Sequence, residues 1–145
     1  MTRIQYEICV SSELANLTEV GAFVCERARH AGMSEDQIFQ VQLAVDEACT
    51  NSMVHAYQGD VTGQVRVCCY REGADFVVEV IDQGQGFEPS EIPEPDLSSP
   101  LEDRDAGGLG LYFMRTLMDS VTFAVPRDGG NQVVMRKRIG QPATD

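Results

Sequence analysis

Lysine is almost missing from this chain. Lys137 is the only one among 145 residues. That scarcity excludes two common ways of holding a nucleoside triphosphate. A P-loop needs a Gly-Lys-Ser/Thr to reach the phosphates. The eukaryotic-type protein kinase layout needs a strand lysine paired with a helix glutamate. Any phosphate met by this chain must be held by backbone amides, arginine or a metal ion. Basic residues are few altogether, 11 against 23 acidic ones, for a net charge of −12. Beyond Arg136-Lys137-Arg138 they form no cluster, so direct binding to a nucleic-acid backbone is not expected. An acidic surface suits a basic protein partner, although its commonest meaning is solubility.

Other features are lacking too. No apolar run approaches the roughly 20 residues that span a bilayer, so no membrane association is expected. Met1-Thr2-Arg3-Ile4-Gln5-Tyr6-Glu7 has no signal-peptide apolar core, and the chain reads as cytoplasmic. The five cysteines, Cys9, Cys25, Cys49, Cys68 and Cys69, are odd in number and contain no Cys-x-x-Cys spacing. A disulfide framework or zinc site would look different, so reduced, mostly buried thiols are expected. No internal repeat is visible. The length fits one domain over residues 1–145, long enough to bury a core without staples.

The remaining pattern is that of a layered fold. Ile4, Tyr6, Ile8 and Val10 alternate with polar residues, which predicts a half-buried strand over 3–10. Ser11 or Ser12 is placed to cap the following helix, whose Leu14, Leu17, Gly21, Val24 and Ala28 fall at helical spacing. Gly32 is a stop. Ser34-x-x-Gln37 resembles a capping box and opens a helix running to about Tyr57. Ile38, Val41, Val45 and Ala48 form its apolar stripe. Leu43, Glu47, Asn51 and His55 form a second stripe at four-residue steps, so Glu47 and Asn51 share a face one turn apart.

Strands are predicted over 64–70 and 76–81, with a turn between them. The second is nearly continuously apolar, as a central strand covered on its faces would be. Residues 88–106 carry Pro89, Pro93, Pro95 and Pro100 among many acids and exclude regular structure. A loop of that length reads as a functional lid, about 88–107, or as a disordered segment. Leu111–Asp119 is predicted helical. Val121, Phe123 and Val125 mark a strand, Asp128-Gly129-Gly130-Asn131 a hairpin turn, and Val133–Ile139 the last strand. Residues 140–145 are a loose tail. The order β-α-α-β-β-loop-α-β-β predicts an α+β two-layer sandwich: a mixed, mostly antiparallel sheet covered on one face by helices.

Three short motifs carry the chemistry. Asp82-Gln83-Gly84-Gln85-Gly86-Phe87 follows a strand directly. A carboxylate there can accept from an exocyclic amine such as adenine's, and glycine lets backbone approach a flat base; an ordinary Asp/Gly turn is the alternative. Gly107-Gly108-Leu109-Gly110 precedes a helix, where exposed amides make an anion site; the alternative is a flexible linker. Asn51 offers a neutral oxygen to a hard cation such as Mg²⁺, which needs few protein ligands. Glu47, one turn earlier, can orient or deprotonate an attacking hydroxyl; the alternative is a solvated polar face. Neither His30 nor His55 is assigned a catalytic role. Arg104 stands just before the glycine run, as a solvated lid residue or a γ-phosphate contact.

Glu47-Ala48-Cys49-Thr50-Asn51-Ser52-Met53-Val54-His55-Ala56-Tyr57 resembles the N box of the Bergerat-fold ATPases, a superfamily that includes gyrase, Hsp90, histidine kinases and MutL. Asp82 to Phe87 resembles their first glycine box, and Gly108-Leu109-Gly110-Leu111 their second. Gly108-Leu109-Gly110-Leu111-Tyr112-Phe113-Met114-Arg115-Thr116-Leu117-Met118-Asp119 is similar to the small bacterial anti-sigma factors that are serine/threonine protein kinases. The resemblance covers essentially the whole chain. It implies ATP and Mg²⁺ as cofactors and a Bergerat fold. Asn51 would hold Mg²⁺, Glu47 would act as base for a partner's serine, and Asp82 would bind the adenine amine. Gly84, Gly86, Gly108 and Gly110, with Leu109 and Leu111, would shape the pocket and lid hinge. A sigma factor and a STAS-domain anti-anti-sigma protein are the implied partners, and a homodimer through the sheet side near residues 3–10 is a further expectation. Two departures stand out. Asn131-Gln132 replaces a frequent Thr-Thr, and Glu102, Asp103 and Asp105 make the lid acidic around Arg104. Two other readings fit the same boxes: a nucleotide-binding regulatory module that transfers no phosphate, and a histidine-kinase-like ATP-binding domain needing a separate acceptor protein.

Overall fold

The computed structural model describes residues 4–84, 106–126 and 129–140, with the side chains of 106–111 excepted. The expected lid lies outside these residues apart from its last two positions, as does the tail beyond Gly140. Arg104, Gly86 and Phe87 also fall outside them.

Five strands make one sheet: β1 (Gln5–Ser11), β2 (Gln64–Glu72), β3 (Asp75–Asp82), β4 (Ser120–Ala124) and β5 (Asn131–Arg138). Their order is β1-β2-β3-β5-β4. The apolar run Phe76–Ile81 therefore sits in the middle strand, as its composition requires. Every pairing among the described residues is antiparallel, where a mixed, mostly antiparallel sheet was expected. For two of the four pairings the reason is connectivity: β2 joins β3 through the tight turn at Gly73, with φ +60°, and β4 joins β5 through a short link at Gly129-Gly130. Short links of this kind reverse the chain and produce antiparallel neighbours.

Helices α1 (Leu17–Ala31), α2 (Glu35–Thr50) and α3 (Ala106–Leu117) complete the described elements. Val20, Val24 and Ala28 of α1 and Ile38, Val41, Val45 and Ala48 of α2 pack into one core. The sheet contributes Val65, Val67, Cys69, Phe76, Val78, Val80, Val133 and Met135, and α3 contributes Met114. Strand alternation gives the sheet one helix-covered face. Its other face mixes buried apolar side chains, Cys68, Val77 and Ile81, with paired polar ones: the Tyr70 hydroxyl donates to Glu79 Oε2 at 2.6 Å, and Gln132 Nε2 donates to Glu79 Oε1 at 2.8 Å.

Local signals hold with two corrections. Ser34 accepts from the Gln37 amide, while the Gln37 side chain accepts from the Ser34 amide, so the capping box is complete. Gly32 ends α1 in the left-handed region at φ +102°. Ser12, however, does not cap α1. A short 3₁₀ turn, Leu14–Asn16, intervenes, and the Ser12 hydroxyl donates to the Asp60 carbonyl at 2.5 Å. The second correction concerns the glycine run. Gly107–Gly110 does not precede α3 but forms its first turns. Glycine costs about 1 kcal/mol per position in a helix relative to alanine. Those turns are continuous with a helix that the buried Met114 and Met118 anchor to the core.

The basic run is absorbed by the fold. Lys137 Nζ donates to the Leu117 carbonyl at 2.7 Å, satisfying an open carbonyl at the end of α3. Arg136 pairs with Glu72 at 2.8 Å. Three of the five thiols, Cys49, Cys68 and Cys69, are buried, Cys25 is half-buried and Cys9 is exposed. Burial first, and then the charge of Asp46, pushes the Cys49 thiol up to about 12.

Candidate nucleotide site

The site begins where α2 changes pitch. Sequence periodicity predicts one regular helix to Tyr57. Instead α2 passes at Asn51 into a π-helical segment, Asn51–Ala56. The Asn51 amide is shared between the Glu47 and Ala48 carbonyls, and the Tyr57 amide reaches back five residues to the Ser52 carbonyl at 3.0 Å. Single π turns inside α-helices are frequently found at functional sites. The wider turn breaks the four-residue stripe after Asn51, and His55 is exposed. Glu47 and Asn51 remain one α-turn apart, both half-buried.

Asp82 ends β3 and is only 3% exposed. Three donors hold its carboxylate. The Ser52 hydroxyl donates to Oδ2 at 2.6 Å. The Asn131 amide group and the Gly84 backbone N–H both donate to Oδ1 at 3.0 Å. A buried carboxylate needs such partners to offset its lost hydration. Ser52 comes from the π segment, and Asn131 faces Asp82 directly in the β3–β5 register. Asp82 is thus the point where helix, central strand and neighbouring strand converge.

Two glycines allow that convergence. A Cβ on Gly84 would lie 2.6 Å from the Ala56 carbonyl carbon and oxygen. Gly130 has φ +83°, and a Cβ there would lie 2.0 Å from the Asp82 carbonyl oxygen. Both positions exclude a side chain because backbone passes too close.

Asn51 and Asp82 line one cleft together with Ala48, Val80, Met114, Phe123, Asn131, Gln132 and Val133. Five of these nine residues are apolar and four are polar, a mixture of apolar walls and convergent polar groups that small-molecule pockets share. The donor set suits a purine, with a fixed acceptor at Asp82 between apolar surfaces. It also suits a cation held mainly by phosphate and water. Asn51 offers a neutral oxygen, and the described residues contain no group of three or more His, Cys, Asp and Glu that would cage a metal.

The structure thus brings together Asn51, Asp82 and Gly84 of the residues singled out in the sequence. Glu47 stands a turn away and is not among the described residues lining the cleft. Gly108, Leu109, Gly110 and Leu111 lie in the first half of α3, and Gly86 lies outside the described residues. Sequence reasoning missed Ser52, and did not foresee that Asn131 holds Asp82. Ser52 follows Asn51 directly and so falls off the predicted stripe; no local signal marks it. Asn131 stood out only as a departure from a Thr-Thr pattern; the strand register sets it opposite Asp82, to which its side-chain amide donates.

Comparison with known proteins identifies the family. The family model described as "Histidine kinase-like ATPase domain" matches residues 10–137. The chain is 35% identical over 124 residues to the serine-protein kinase RsbW of Bacillus licheniformis, covering 81% of this chain and 75% of that protein. It is 34% identical over 122 residues to the RsbW of Halalkalibacterium halodurans, covering 81% and 73%. A solved structure of the RsbU and RsbW domains of a Mycobacterium tuberculosis protein superposes with a TM-score of 0.70 at 20% identity. That match covers 97% of this chain and 34% of the other, and it bears on fold alone. On the extent of the family match and the identity to these relatives, the chain belongs to the histidine kinase-like ATPase domain family.

Proposed function

We propose that this protein is an ATP- and Mg²⁺-dependent serine protein kinase of a partner-switching module. It is an anti-sigma factor that binds a sigma factor and phosphorylates a serine of a STAS-domain antagonist. The observation that carries the reading is the convergence of Ser52, Gly84 and Asn131 on Asp82 in one cleft with Asn51. The relatives named serine-protein kinase support the reaction type. No helix among the described residues is long and apolar enough to cross a membrane, which accords with a cytoplasmic site of action. A homodimer through the sheet side near residues 3–10 belongs to the same reading.

Each residue has a task in it. Asp82, acceptor-only when ionised, takes the adenine amine. The apolar walls exclude water from the base. Asn51 supplies the protein oxygen for Mg²⁺, which, when bound, neutralises phosphate charge. Gly84 lets backbone lie against the base, Gly86 is assigned to the same box although it lies outside the described residues, and Gly108, Leu109, Gly110 and Leu111 are assigned to the phosphate end. Phosphoryl transfer needs mainly positioning and charge neutralisation. Glu47, one turn from Asn51, orients the partner's serine hydroxyl and takes its proton.

The Glu47→Ala variant tests this. It should bind ATP within about threefold of wild type and lose phosphate transfer by about 10²-fold or more. The measurement is transfer from labelled ATP to a STAS partner, alongside ATP binding. Transfer at the wild-type rate would remove Glu47 from its role. No transfer by the wild-type protein to any STAS partner would remove the kinase reading itself.

A further inference from the structure

One side chain at the site has no role in the reading above. Tyr57 closes the π segment that carries Asn51 and Ser52. Its phenol oxygen accepts from the Gln83 backbone N–H at 2.8 Å and donates to the Gln64 carbonyl at 2.6 Å. Its ring lies flat enough on Gly63 that a Cβ there would come within 2.5 Å of it. The carbonyl of Tyr57 in turn accepts from the Asp60 amide at 2.9 Å.

The consequence is a two-point grip on the end of β3. Ser52, at the start of the π segment, holds the Asp82 carboxylate. Tyr57, at its end, holds the next backbone amide along. Between them Ala56 abuts Gly84, the third residue of the same stretch. A carboxylate fixed only through its oxygens still turns when the peptide that follows it turns. The Gly84 N–H that bonds Asp82 Oδ1 is two residues downstream, so its aim depends on where Gln83 is held. We propose that Tyr57 is a positioning residue for base recognition: its phenol fixes the 82–83 peptide so that Asp82 presents its open acceptor direction to an exocyclic amine. This rests on the nucleotide reading of the cleft and adds a residue that governs its preference for a 6-amino purine.

A phenol that only stitched β2 to β3 would matter for stability and not for which base binds. The test therefore compares ATP with inosine triphosphate, which carries an oxo group in place of the amine. Both are titrated with Mg²⁺ into wild-type protein and into Tyr57→Phe, which keeps the ring and its packing on Gly63. Loss of one well-placed bond to a reading group should weaken ATP binding about tenfold and leave inosine triphosphate within about twofold, so discrimination falls. Equal weakening of both nucleotides, or of neither, overturns the proposal. A wild-type protein that binds ATP no better than inosine triphosphate overturns the reading of Asp82 itself, a failure distinct from that of the variant. Should Tyr57→Phe not fold, the wild-type protein still decides. The Gln83 amide should exchange with deuterium at least about a hundredfold more slowly than an open strand end, and Mg²⁺-ATP should slow it further. Fast exchange in both states sinks the idea.

Discussion

Asp82 shows how much one residue depends on those around it. Its carboxylate is buried, and three donors from three different parts of the chain keep it in place. Gly84 is the tightest of these dependencies. An alanine Cβ there would fall 2.6 Å from the backbone of Ala56, an atom that cannot swing aside as a flexible side chain would. Gly84→Ala should therefore lose about 1–3 kcal/mol of stability and weaken ATP binding, because the shift displaces the amide that bonds Asp82. Denaturant unfolding and nucleotide titration check both effects. A variant as stable as wild type would mean that Ala56 yields more easily than its backbone position implies.

At the level of elements, α2 does most of the positioning. Its N-terminus is fixed by the Ser34–Gln37 capping box, and Gln37 also donates through its side chain to the Arg138 carbonyl at the end of β5. Its C-terminus widens into the π segment that presents Asn51 and Ser52 to β3. The two ends have separate duties, which mutation can separate. Ser34→Ala removes an acceptor for the Gln37 amide and should cost about 1 kcal/mol, read as a lower thermal midpoint. Mg²⁺-ATP affinity should stay unchanged, since the cleft lies at the other end of the helix. A large loss of affinity would show that the cap, not only the helix, is coupled to the site. The existence of α1, α2, α3 and the strands was legible from apolar spacing, because burial of one face imposes a period of 3.6 or 2. The π segment was not, because its widening answers to contacts from Asp82 and Gln83, about thirty residues away in sequence.

For the whole molecule, charge is the dominant feature. With a net charge of −12 the folded chain repels itself. Asp46 illustrates the cost locally. Burial, and then the neighbouring charge of Glu47, raises its carboxyl above the ordinary aspartate range. The sign follows from proton counting. Between the unfolded value and the raised folded value, the folded chain binds more protons than the unfolded one. Stability therefore falls as pH rises through that window, and the penalty is complete above it. Asp46→Asn should raise the thermal midpoint at pH 7 relative to wild type, with the difference vanishing near pH 3, below both values. A variant less stable than wild type at pH 7 would show that the ionised carboxylate has an unrecognised favourable partner.

The sequence by itself determined the layer architecture, the order and spacing of the three motifs and the exclusion of lysine-based phosphate sites. All of these follow from periodicity, residue chemistry and counting, which are local or compositional. Only the tertiary structure decided that the sheet is antiparallel throughout its described pairings, that Gly107–Gly110 is helical, and that Asp82 is held by Ser52 and Asn131 with Tyr57 beside it. Those contacts join residues 26 to 49 positions apart. No spacing along the chain encodes such a contact; strand register and the pitch change at Asn51 do.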